Sequence, residues 1–355
     1  MIGRIVVGVD SSALGLKALQ KAISFAQSCD AELKLVHVLT ERDPGAPQLT
    51  GGYLGGPLYP SISTTVIASY QTAWNQFVTH SQSLLDQQIS AVKENGIQVS
   101  GVLLYGNPGE KLCEAAETWN ADLMIVGSRG LAGISELLIG SVSNYVLHHA
   151  PCSVLVVHAD KQLPDHGDIS LRDNLTAEGP PKRILVALDK SDMAKKAMKV
   201  AIALAKTHQA DIRLLHIIDD DEPGLPPKLI FSDSQYISQH SELLFAEYQQ
   251  EWNKFVNGWW QCLQRYIDDI EAEGIEAICD VMQGRTGQRI CEVAEDWSAD
   301  LIVMGSRGFS RLQELLVGSV SYYVSHRASC AVLVTRSKPA KTQQPQTARQ
   351  MVYTA

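Results

Sequence analysis

The sequence predicts an α/β protein built of two tandem doubly wound domains, each with five parallel strands and helices on both faces. Three observations carry that prediction. The chain repeats itself at the spacing of a whole domain rather than of a solenoid unit. Within each copy, short β-branched runs alternate with segments of helical periodicity, the signature of a parallel sheet covered on both sides. The chain has 355 residues, 45% of them apolar, enough for two separate cores.

The repeat is read from matched segments. Arg4-Ile-Val-Val-Gly-Val-Asp10 recurs as Arg183-Ile-Leu-Val-Ala-Leu-Asp189, and Ala31-Glu-Leu-Lys-Leu-Val-His37 as Ala210-Asp-Ile-Arg-Leu-Leu-His216, both 179 residues on. Tyr70, Trp74 and Phe77 recur as Tyr248, Trp252 and Phe255 at 178, so one residue is lost in the loop between. Ala121-Asp-Leu123 and Gly127-Ser-Arg-Gly130 keep the offset of 178, recurring at Ala299 and Gly305.

In the first copy, residues 4–9 read as a buried strand and 12–28 as an amphipathic helix. Residues 32–39 are a second strand, followed by an irregular Gly- and Pro-rich loop from Pro44 to Pro60. A long helix over 66–95 stops at Asn95-Gly96. Then come a strand over 97–105, a helix from Pro108 to Trp119 with proline at its start, and a strand over 123–126. A helix from Gly140 to His149 and a strand from Cys152 to Val157 complete the copy. The second copy follows the same plan. The domains are thus 1–159 and 182–337, joined by a polar linker over 160–181 and followed by a disordered Lys-, Gln- and Thr-rich tail over 338–355.

Composition narrows the function. The net charge of −9 disfavours nonspecific contact with nucleic acid or membrane, both polyanions. Seven scattered cysteines, with no C-x-x-C pair and no Cys/His cluster at zinc spacing, read as reduced thiols and give no metal site. No apolar run reaches membrane-spanning length and the N-terminal run is too short for a signal peptide, so a cytoplasmic protein is expected.

The chemistry is concentrated after the fourth strand. Gly127-Ser-Arg-Gly130, nine residues, then Gly140-Ser-Val-Ser143 is matched by Gly305-Ser-Arg-Gly308, nine residues, then Gly318-Ser-Val-Ser321. Glycines after a strand let backbone N–H groups approach a ligand closely. A helix that opens on Gly-Ser offers unpaired N–H groups and a positive dipole end to a phosphate, and the serine can cap the helix or donate to the ligand. The plainer reading is a tight turn and a helix start. Neither copy carries a Walker loop or a dinucleotide-binding G-x-G-x-x-G after its first strand.

This doubled pattern, with an aspartate ending the first strand, resembles the ATP-binding branch of the universal stress protein family over roughly residues 2–159 and 181–336. The resemblance implies a strand order of 3-2-1-4-5, with ligand in the crevice at the switch point between strands 1 and 4. It implies that Asp10 and Asp189 accept from a ribose hydroxyl and that Val38 and Ile217 meet adenine through their backbones. It implies that Gly127, Gly130, Gly140, Ser141 and Val142 hold phosphates in copy one, and Gly305, Gly308, Gly318, Ser319 and Val320 in copy two. Arg129 and Arg307 would screen phosphate charge or remain solvated. The expected ligand is ATP, ADP or AMP, with Mg2+ accompanying a triphosphate.

Against that stand plainer roles. Asp10 could cap the following helix. His37 and His216, at strand ends among apolar residues, read as core histidines. The apolar stripe from Trp252 through Trp259 and Trp260 to Ile270 reads as packing surface, part of it lying between domains because copy one has His80, Ser81 and Gln82 at the matching places. The apolar fifth strands are expected to pair the halves as a pseudo-dimer, with further homo-oligomers open. Lys190 and Arg311, which have no cationic counterparts in copy one, are expected to favour a more highly charged nucleotide in copy two. No catalytic triad or general base is placed beside the loop, so a binding protein of stress response or signalling is the first reading. A slow Mg2+-dependent ATPase or nucleotide-transfer enzyme and a scaffold with one or both sites empty are the alternatives.

Overall fold

A computed structural model describes residues 2–48, 64–128, 139–159, 179–227, 237–306 and 317–337. The core of the first glycine-rich loop, residues 160–178 of the linker and the tail expected at 338–355 lie outside these residues.

The first copy runs β1 (Arg4–Gly8), α1 (Ala13–Cys29), β2 (Glu32–Leu39), α2 (Thr64–Glu94), β3 (Val99–Tyr105), α3 (Pro108–Thr118), β4 (Leu123–Gly127), α4 (Ser141–His149) and β5 (Ser153–Val157). The second runs β6 (Arg183–Ala187), α5 (Asp192–His208), β7 (Asp211–Ile218), α6 (Ile237–Glu271), β8 (Ala277–Gln283), α7 (Thr286–Asp296), β9 (Leu301–Gly305), α8 (Ser319–Arg327) and β10 (Ala331–Thr335). These follow the sequence-based elements to within two residues at each boundary in the first copy.

Each half has the expected order. The strands join into one sheet, β3-β2-β1-β4-β5-β10-β9-β6-β7-β8, parallel throughout except where β5 meets β10. The β-branched and leucine residues of β1, β4 and β5 are fully buried on both faces, as a parallel sheet between two helical layers requires. One face packs beneath α1, α2, α5 and α6 through Ile23, Phe25, Leu85, Leu204 and Leu263. The other packs beneath α3, α4, α7 and α8 through Leu112, Leu147, Ile290 and Val324.

The halves are also joined outside the sheet. His158 Nε2 meets the Ser325 carbonyl at 2.9 Å, and its counterpart Arg336 donates through Nη1 to the Ala150 carbonyl at 2.7 Å. Ser28 Oγ lies 3.3 Å from His208 Nδ1 between α1 and α5. The described residues contain no helix long and apolar enough to cross a membrane.

Candidate functional site

The crevice arises because strands of unequal length share one sheet. β1 ends at Gly8, opposite Val36, while β2 runs on to Leu39. On the other side the last β1–β4 partners are Val7 and Ile125, while β4 continues to Gly127 beside β5. Past Gly8 the two neighbours of β1 therefore flank an opening. β6 repeats this in copy two, ending at Ala187 opposite Leu215 while β7 runs to Ile218 and β9 to Gly305.

The backbone of Val38 faces that opening. Val9 N–H donates to the Val36 carbonyl at 3.0 Å, so Val36 points its polar groups toward β1. Side alternation along a strand sends Val38 the same way, where β1 has already ended. Leu39 points oppositely, its carbonyl accepting from Gly106 N–H at 3.2 Å. In copy two the Leu188–Leu215 and Gly284–Ile218 bonds, at 2.9 and 3.1 Å, leave Ile217 in the same position.

Asp10 leaves β1 into the opening. It is Ser12, not Asp10, that caps α1, accepting from Gly15 N–H at 2.9 Å. Asp10 Oδ1 in turn accepts from both Ser12 N–H, at 3.0 Å, and Ser12 Oγ. One carboxylate oxygen is thus committed to holding the cap, and Oδ2 makes no hydrogen bond among the described residues. Asp189 and Ser191 repeat the arrangement, with the Ser191 N–H at 2.9 Å. A Cβ built at Gly15 would run into Asp10 Oδ1. Copy two carries Ala194 at the matching place, with a cap bond of 3.2 Å against 2.9 Å in copy one.

The glycine loop is tied at both ends by the serine inside the Gly-Ser-Arg-Gly motif, a role its residue type alone does not signal. Ser128 N–H donates to Val157 O at 2.7 Å, and its carbonyl accepts from Gly140 N–H at 2.6 Å and from Ser143 Oγ at 2.9 Å. Ser306, Gly318 and Ser321 do the same, at 2.7 and 3.0 Å. Ser143 and Ser321 are buried, and each is the fourth residue of its Gly-Ser-Val-Ser quartet.

Of the two roles open to the serines of the Gly-Ser pairs, capping or donation to a ligand, the structure does not show capping. The N-caps of α4 and α8 are Gly140 and Gly318, with no side-chain cap bond; Ser141 and Ser319 are the first helical residues and are exposed. Both helices therefore present first-turn N–H groups without a side-chain partner among the described residues, at the edge of the crevice and beside Val142 and Val320. Gly140 has φ −68° and ψ 160°, which any residue adopts, so backbone conformation does not demand glycine there. Arg129, Gly130, Arg307, Gly308 and Arg311 lie outside the described residues.

The two histidines differ. His37 is partly exposed, and burial lowers its pKa against the opposing charges of Asp43 and Asp10. His216 is 2% exposed, donates through Nδ1 to the Leu188 carbonyl at 2.8 Å, and stacks on Trp259 with ring centroids 3.4 Å apart. Its Nε2 lies 3.7 Å from Glu222 Oε1. Trp259 thus folds onto its own domain instead of filling the junction between domains, and Trp260 beside it is exposed. Helical periodicity assigned the stripe to packing but could not name its neighbour. Lys190, expected at a phosphate, holds its Nζ 4.5 Å from the centre of the Trp259 ring, and Asp192 pairs with Lys195.

The described residues hold no cluster of three or more His, Cys, Asp or Glu arranged for a metal, and none of the seven cysteines is in a disulfide.

Fold and site together define a tandem doubly wound α/β protein with one crevice at each switch point. The sequence model of the Universal stress protein family matches residues 1–158 and 180–336, and the chain belongs to that family. It is 33% identical over 160 residues to the universal stress protein Sll1388 of Synechocystis sp., covering 43% of this chain and 97% of the relative. It is 26% identical over 332 residues to the universal stress protein Rv2005c of Mycobacterium tuberculosis, covering 94% and 96%. The crystal structure of a universal stress protein from Archaeoglobus fulgidus shares the fold, with a TM-score of 0.57 at 20% identity over 94% of this chain and 98% of that one.

Proposed function

We propose that the protein binds an adenine nucleotide, ATP or its di- or monophosphate, and acts as a non-catalytic stress-response or signalling module in the cytoplasm. The observation that carries this is a convergence at the switch point. The free oxygen of Asp10, the unpaired backbone of Val38 and the uncapped start of α4 surround one opening, suited to ribose, base and phosphate respectively. Asp189, Ile217 and the start of α8 repeat it. Gly127 and Gly305 end the strands that wall each crevice; Arg129, Gly130, Arg307 and Gly308 belong to the proposed phosphate loops. Seven cysteines outside any disulfide fit a reducing compartment. Mg2+ would enter with a triphosphate.

The test is calorimetric titration of nucleotide-stripped protein with ATP, ADP, AMP and cyclic AMP, followed by Gly140→Val and Gly318→Val together. Micromolar binding that the folded double variant loses supports the reading. Unchanged affinity in that variant, or no binding by the parent protein, refutes it.

A further inference from the structure

Residue 81 in copy one and residue 259 in copy two occupy matching places on α2 and α6. One is serine and the other tryptophan, and they leave the matching histidines in different states. His37, in copy one, is partly exposed beside Asp10 and Asp43, and its ring makes no hydrogen bond among the described residues. Ser81 is buried and offers no ring to cover it. In copy two the indole of Trp259 lies flat on His216, 16° from parallel, and both side chains are 2% exposed.

That stack stands at the mouth of the second crevice. His216 is bonded to the carbonyl of Leu188, the residue before Asp189. Lys190, the residue after Asp189, lays its ammonium over the indole. The stack is also unfinished as a polar structure. His216 Nε2, Glu222 Oε1 and Trp259 Nε1 are all buried without a hydrogen-bond partner among the described residues. Buried polar groups left unpaired carry a desolvation penalty, so the closed arrangement holds a cost that opening relieves.

We propose that Trp259 is a gate that makes the two crevices unequal: copy one takes nucleotide directly, while copy two admits it only when the indole leaves His216. This rests on the nucleotide reading above and adds which site fills first and why. A site that is competent only in a minor state binds more weakly by the fraction of time it is open. Swinging the indole away also frees Lys190 to turn toward an incoming anion.

The experiment is ATP titration of the stripped full chain by calorimetry, with Trp259→Ser, Trp259→Phe and Ser81→Trp beside it. The parent protein should show two classes of site, the tighter removed by Gly140→Val and untouched by Gly318→Val. Trp259→Ser should tighten the weaker class at least tenfold. Trp259→Phe, which keeps a ring on the histidine, should leave that class weak. Ser81→Trp should weaken the tighter class. Trp259→Ser removes a large buried side chain, so its fold is checked by circular dichroism; the two classes in the parent test the gate without it. Two equal sites in the parent, or a tighter class lost with Gly318→Val, overturns the gate alone. No ATP binding in any of these proteins overturns the gate together with the nucleotide reading.

Discussion

Leu155 pairs across the centre of the sheet with Leu333, its own counterpart in the repeat. Val154 pairs with Val334 and Val156 with Val332 on either side of it, so each flanking pair is the image of the other about a two-fold between the halves. Both fifth strands would otherwise be bare apolar edges, and antiparallel pairing covers them with a fully buried row. The one continuous sheet should make the halves unfold as a single cooperative unit. Arg336, 6% exposed, seals it through Nη1 on the Ala150 carbonyl and its own N–H on Ser153 Oγ. Arg336→Ala should cost about 2 kcal/mol, from lost charge-assisted bonding and packing. Urea unfolding should show one transition with a lower midpoint and an unchanged slope. Two separated transitions, only one of them shifted, would mean that the domains fold independently.

The loop tie gives a second expectation. Ser143 Oγ reaches both the Ser128 and the Gly140 carbonyls, at 2.9 and 3.0 Å, from a fully enclosed position. Removing the hydroxyl leaves the Gly140 N–H bond to Ser128 in place but loosens the start of α4. Ser143→Ala should lower stability by about 1 kcal/mol and weaken nucleotide binding in copy one several-fold, with Ser321→Ala acting likewise in copy two. A stability loss with affinity unchanged in both variants would confine these serines to the fold.

Much of this was legible in the sequence. The offsets of 179 and 178 residues, the alternation of periods and the apolar fifth strands together determine the ten strands and predict the join between β5 and β10. The position of the candidate site was legible where backbone carries it: Asp10 and Gly140 from the motif, and Val38 from the family resemblance, all lie at the opening. What stayed hidden depends on side-chain direction. Trp259 and Trp260 are adjacent on α6, yet one is buried and the other 40% exposed, and only the turn of the helix against β7 decides which covers His216. Ser12 rather than Asp10 caps α1 for a similar reason, since both residue types can cap and only the bend out of β1 selects between them.

Under the nucleotide proposal Asp10 has a second duty besides holding Ser12, and a pair of substitutions divides the two. Asp10→Asn keeps an acceptor for Ser12 and should melt within about 1 °C of the parent, whereas Asp10→Ala should lose about 0.5–1 kcal/mol of cap support. Both should weaken nucleotide binding in copy one, since neither offers a carboxylate to a ribose hydroxyl. Thermal melts with and without ADP read both effects. An Asn variant that binds as tightly as the parent would show that the carboxylate charge is not used.

Glu222 and His216 give stability an opposed dependence on pH. Burial holds His216 down to about 4, with the Leu188 carbonyl pulling the other way and the Lys190 ammonium reinforcing. Burial pushes Glu222 up to about 7, Lys190 opposing and Asp189 and Asp219 reinforcing. Between its ordinary value of 6.5 and about 4, His216 binds a proton in the unfolded chain but not in the fold. Its contribution is therefore full above 6.5 and is lost as pH falls through that window. Glu222 runs the other way. Between 4.5 and about 7 the folded protein holds a proton that the unfolded chain releases, so its contribution is full below 4.5 and is lost as pH rises through 7. Above that window the fold contains a buried carboxylate facing a neutral imidazole acceptor, because Nδ1 keeps its proton on Leu188. Glu222→Gln removes that charge and should be about 1–2 kcal/mol more stable than the parent near pH 8, with almost no difference near pH 4.5. Denaturation midpoints of the two proteins measured from about pH 4.5 to 8 decide it: a constant offset across the range would show that Glu222 does not take up a proton in the fold.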